Sequence, residues 1–135
     1  EVGIEAPLLG ADGWDGVLTV VEDASVLEGY YFCNHYSVED TDETVQGFLK
    51  NYEAKYGETP NAFSALGYDA AKILFTALET AGTTDSAAVV EAMKNTNLNG
   101  VTGNITFDDH RDPQKSVAIS RFVDGQAKLI KKMMP

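Results

Sequence analysis

The 135-residue chain contains one cysteine, one tryptophan and two histidines. A single cysteine excludes an intramolecular disulfide and a thiolate zinc cluster. The place of Cys33 in the apolar run "YYFC" predicts a buried thiol rather than a reactive one. His35 and His110 have no partner histidine at helical spacing, so the common zinc motifs are excluded as well. Cations are scarce: 10 Lys and Arg stand against 21 Asp and Glu, a formal charge of −11. A chain this acidic has no basic stripe with which to displace counterions from phosphates. Nucleic acid is therefore excluded as a partner, and binding to anionic membranes is disfavoured. No apolar run approaches the roughly 20 residues that a membrane-spanning helix needs. There is also no GxSxG, P-loop or GxGxxG, so the familiar nucleophile and phosphate-cradling patterns are missing.

What is present suits a globular domain, with 44% hydrophobic residues and enough length for a real core. "APLL" (6–9) reads as a short buried strand ending at Gly10, and "GYYFCNHY" (29–36) as a second. The stretch "GVLTVVEDAS" between them fits either a short helix or a loop. Asp40 with Glu43 three residues on resembles a capping box, opening a helix that Gly57 closes. A second helix is predicted from Ala62 to Ala81, with Leu66, Ala70, Ile73, Leu74, Ala77 and Leu78 as its buried face and Gly82 as its stop. A third runs from Ser86 to Asn95, capped by Asp85. The period then changes to that of strands in "GNITF" and "SVAISRFV", and Asp124–Gly125 predicts a two-residue hairpin turn. This is an α/β mixture, but the alternation is too uneven for a complete doubly wound sheet.

The candidate site lies in "LLGADGWDG" (8–16). Gly/Asp-rich stretches after an apolar run are commonly strand-to-helix turns, with Asp as the cap. An acid at the mouth of a strand beside a large aromatic can also hold an ammonium group, with the ring shielding its apolar part. Asp12 and Trp14 fit that second reading. Asp12 with Asp15 as a catalytic acid pair is disfavoured, because neighbouring acids are mostly solvated or capping groups. "DDHRD" (108–112) lacks the EF-hand spacing and reads as a solvated turn. No metal, cofactor or enzymatic activity is expected.

The series "PLLGADGWDG", "EGYYF", "DETVQGFLKNYEAKYGETPNAFSALGYDAAKIL" and "GVTGNITFDDHRDPQKSVAISRFVDGQ" resembles, in order, the C-terminal part of type I periplasmic solute-binding proteins. The likeness is to the branched-chain amino-acid (Leu/Ile/Val) binding components of ABC transporters, and it covers the whole chain. It implies part of a two-lobe α/β fold: residues 1–33 in the second lobe, 34–117 in the first lobe with three helices, and 118–135 returning to the second lobe as a terminal hairpin. It implies Asp12 as the partner of a ligand α-ammonium, Phe63 as an aromatic over the ligand side chain, and Trp14 beside the same cleft by proximity. Tyr68 matches an aromatic of the helix and is expected to pack. The donors for a ligand carboxylate belong to the part of the family fold that this chain does not resemble.

The function implied is extracytoplasmic capture of an amino acid or similar amine for a membrane permease, with a ligand-sensing receptor domain of the same fold as the alternative. Localisation would be periplasmic or extracellular, with a lipoprotein tether on the parent. The start at Glu1, with no initiator Met or signal peptide, reads as a processed protein or a fragment. In such a fragment the apolar strands would expose unpaired edges. Either self-association of two copies as a homodimer or an ordered remnant of a cleaved parent is the expected consequence, in both cases with no measurable affinity of the chain alone for free amino acids.

Overall fold

In the computed structural model, which describes residues 6–134, the elements follow one another as β1 (Leu9–Gly10), β2 (Tyr31–Asn34), α1 (Glu43–Tyr56), α2 (Ala62–Ala81), α3 (Ser86–Lys94), β3 (Leu98–Gly100), β4 (Gly103–Phe107), β5 (Pro113–Gln114), β6 (Val117–Val123) and β7 (Gln126–Met133). Three 3-10 turns, Asp12–Trp14, Val17–Thr19 and Ala24–Leu27, fill the connection from β1 to β2. One sheet has the order β1-β2-β6-β7, with β1 and β2 parallel and the other pairs antiparallel. A smaller sheet joins β3, β4 and β5. This is the mixed α/β architecture that the strand and helix periods predict. The abrupt opening of the chain lies outside the described residues.

The helix signals act locally and are mostly realised. Asn61 and Asp85 accept backbone N–H bonds from Ser64 and Ala88 at the starts of α2 and α3, supplying partners that the first turn lacks. Gly57 and Gly82 end α1 and α2 in the left-handed region. The predicted capping box at Asp40 does not form. Asp42 is the N-cap, accepting from Thr44 N at 2.8 Å, while Asp40 accepts from Asp42 N and pairs with Lys132 at 2.8 Å. Two acids stand two residues apart there, and a cross-sheet lysine takes one of them. The N–H of Asn95 closes α3, which ends at Lys94. Asp124 and Gly125 both have positive φ, 50° and 71°, the geometry that twists a two-residue hairpin correctly.

Other expectations are corrected by packing. The first strand is only two residues long, and Leu9 is 81% exposed rather than buried. The second spans Tyr31–Asn34, not 29–36, and Cys33 is half-buried. The open segment after Gly16 becomes 3-10 turns. On α2 the buried line is Ala62, Ala65, Asp69, Ile73 and Ala77. Leu74 and Ala70 lie in the exposed part of the helix and Leu66 and Leu78 at its margin, because small residues let α2 approach its neighbours on a narrower stripe.

Two apolar clusters result. Tyr36, Val45, Phe48, Leu49, Ala62, Ala65 and Val101 form the first, and Leu27, Phe32 and Phe122 the second, with Trp14 packed on it. Phe32 stacks on Phe122 at 4.9 Å between centroids, and Trp14 tilts against Phe122 at 6.2 Å. Gly10 exists to admit that tryptophan, since a Cβ there would overlap the indole ring. Gly10→Ala is expected to cost about 1–3 kcal/mol through overpacking. Urea unfolding measures this, and an unchanged midpoint would show that the ring moves aside freely.

Candidate functional site

Asp12 lies two residues beyond β1, and His35 lies one residue beyond β2. Because these strands are parallel, their carboxyl ends open on the same side of the sheet. In open α/β sheets that is where ligands lie. His35 Nε2 is 3.0 Å from Asp12 Oδ2. The Asp12 side chain is 59% exposed, and no donor among the described residues engages its Oδ1. A small cleft of about 170 Å³ is lined by Asp12, Gly13, Asp15, His35, Ala62, Phe63 and Leu66.

Asp15 builds the floor of this arrangement. Its Oδ1 accepts from Asn34 Nδ2 at 2.5 Å, and its Oδ2 accepts from Ala62 N at 2.8 Å. Ala62 is the first residue of α2, so Asp15 satisfies one of that helix's free N–H groups and complements its positive end. Asn34 in turn accepts from His35 N at 2.7 Å. This chain of bonds fixes the start of α2 against the end of β2. It places Phe63, the second residue of α2 and 80% exposed, at the cleft with Asp12. Tyr36 adds support by donating its buried hydroxyl to Pro60 O, just before α2. Burial, followed by the negative charge of Asp15, raises the Tyr36 pKa well above the usual phenol range.

The sequence-predicted site residues therefore separate. Asp12 and Phe63 share the small cleft. Trp14 does not join them: it lines a different cavity of about 340 Å³ with Leu18, Phe32, Asn34, Tyr36 and Phe122, and its ring belongs to the second apolar cluster. Tyr68 packs on Phe48 at 5.1 Å between centroids, beside the groove between α1 and α2 rather than near Asp12. Asp15 is neither a cap on its own following turn nor a spare acid, since both its oxygens serve structural bonds. That leaves Asp12 without a carboxylate partner free for acid–base exchange.

His35 is the residue that spacing alone missed. A histidine isolated in sequence signals nothing, whereas its place immediately after a strand that pairs parallel with β1 does. Behind it, Lys115 Nζ lies 3.4 Å from His35 Nδ1 and 3.3 Å from Thr102 O. Burial lowers the pKa of Lys115; the buried Asp69 opposes that shift, and Lys132 adds to it. "DDHRD" forms an exposed turn in which Asp108 Oδ1 accepts from His110 N and Asp112 N, both at 2.9 Å. Chemically, the site offers one carboxylate oxygen and one exposed phenyl ring, a combination suited to an ammonium group with an apolar substituent.

The sequence model of a family described as "Periplasmic binding protein" matches residues 1–127. The fold is similar to that of a leucine binding protein, LivK, from Thermotoga maritima, with 31% identity and a TM-score of 0.85 over 99% of this chain and 39% of that one. It is similar to the branched-chain amino acid transporter substrate binding protein LivJ from Streptococcus pneumoniae in complex with isoleucine, with 26% identity and a TM-score of 0.83 over 98% and 38% of the two chains. A solute binding protein from R. palustris in complex with benzoate shares the fold, with 21% identity and a TM-score of 0.81 over 96% and 36%. The chain thus spans well under half the length of each of these structures. Comparison with curated protein sequences finds no match.

Proposed function

The chain belongs to the periplasmic binding protein family, and from that premise we propose that it forms one part of a cleft that captures an amino acid outside the cytoplasm for an ABC transporter permease. This is a family of binding proteins, not of enzymes. On this reading residues 1–33 and 118–135 belong to one lobe and 34–117 to the other, so Asp12 and Phe63 approach the ligand from opposite lobes. The observation that carries the proposal is their convergence on one cleft, an exposed carboxylate beside an exposed phenyl ring. The leucine and isoleucine in the names of two of the relatives support an aliphatic amino acid as the ligand. Asp12 holds its ammonium group and Phe63 covers its side chain. Trp14 acts indirectly, by packing the segment that carries Asp12. The carboxylate end of the ligand is left to groups outside this chain.

Phe63 supplies a test of selectivity. Burying an aliphatic side chain against a ring contributes about 1–3 kcal/mol, and glycine has no side chain to bury. Phe63→Ala in the full-length protein is therefore expected to weaken leucine binding about tenfold or more while leaving glycine nearly unchanged. Calorimetric titration with both amino acids separates the cases. Equal losses would mean that Phe63 does not touch the side chain.

A further inference from the structure

We propose that His35 is the positioning residue of the ligand site, an imidazole whose Nε2–H holds one oxygen of Asp12 and leaves the other facing the ligand's cation. The inference rests on reading Asp12 as the cation-binding group and adds the residue that orients it.

The geometry assigns the hydrogen atoms. Lys115 has only donors, so its contact with Nδ1 at 3.4 Å makes that nitrogen the acceptor. The imidazole proton then lies on Nε2, directed at Asp12 Oδ2 3.0 Å away. In this state His35 orients the carboxylate without neutralising it, and Oδ1 remains available to an ammonium.

The charges facing the ring come from several elements. Asp12 and, through Asn34, Asp15 lie on the segment after β1. Lys115 precedes β6 and is acted on by Asp69 of α2 and Lys132 of β7.

The test is calorimetric titration of the full-length protein with leucine, in the wild type and in two variants of His35. His35→Gln keeps an N–H donor and is expected to bind within about threefold of the wild type. His35→Leu, which lacks the donor, should bind about tenfold more weakly. Wild-type affinity in His35→Leu, or a loss in His35→Gln as large as that in His35→Leu, would overturn the proposal.

A second readout needs no ligand: long-range proton–nitrogen spectra of the imidazole at neutral pH. The Nε2-protonated tautomer is expected in the wild type, with the Nδ1-protonated form gaining ground in Asp12→Ala. A wild-type Nδ1 tautomer, or spectra indifferent to that substitution, would defeat the assignment. Absence of leucine binding, with the expected spectra, would instead refute the amino-acid reading and leave the His35–Asp12 coupling standing.

Discussion

Asp12→Asn is expected to weaken amino-acid binding by the full-length protein by about 2–5 kcal/mol, or roughly 30-fold or more. The substitution preserves the size of the side chain and its ability to accept a hydrogen bond from His35. On the proposed reading it removes only the charge that opposes the ligand's ammonium group. An uncompensated cation in a desolvated site is what makes such a loss large. The turn itself should survive, because its backbone bonds, Trp14 N to Ala11 O and Asp15 N to Asp12 O, do not use the Asp12 carboxylate. Calorimetry gives the affinity and a thermal melt controls for folding. Unchanged affinity in a folded variant would remove Asp12 from the site and leave "GADGWDG" as a structural turn alone.

Asp69→Ala is expected to have the largest effect on stability, about 3–5 kcal/mol. Asp69 is only 2% exposed, and its two oxygens accept from Val101 N at 2.9 Å and Thr102 N at 2.8 Å. Truncation leaves two buried donors unpaired and withdraws the negative charge that acts on the half-buried Lys115. Asp69→Asn keeps one acceptor and should cost less. The fit is tight from the other side as well, since a Cβ on Gly100 would come within 2.6 Å of the carboxylate. Chemical denaturation of the three proteins gives the order. If alanine were no worse than asparagine, water would be replacing the carboxylate at the β3–β4 turn.

The sequence carried different parts of this molecule with different fidelity. The boundaries of α2, the start of α3 and the Asp124–Gly125 hairpin were legible, because a cap or a turn is decided by residues within about four positions of it. The ordered series of motifs carried the family and the fold class. It also singled out Asp12 and Phe63, which the fold brings to one cleft although no local pattern joins them. Periodicity assigns Leu74 and Ala70 to the buried face of α2 because it ranks apolar residues alike, whereas the line the packed helix buries runs through Ala62, Ala65, Asp69, Ile73 and Ala77. Trp14 is near Asp12 in sequence, but successive positions of a tight turn point apart, and its ring followed Phe122.

By itself, then, the sequence determined the acidic character of the chain, its helices and hairpin, and its family. Only the tertiary structure decided what the other polar groups do. Asp15 caps a helix 47 residues further on, Asp69 holds a turn 32 residues away, and His35 reaches back 23 residues to Asp12. The reason is physical. A carboxylate or imidazole has no preferred partner at short range, and its role is set by which buried donor or charge the folded chain brings within about 3 Å.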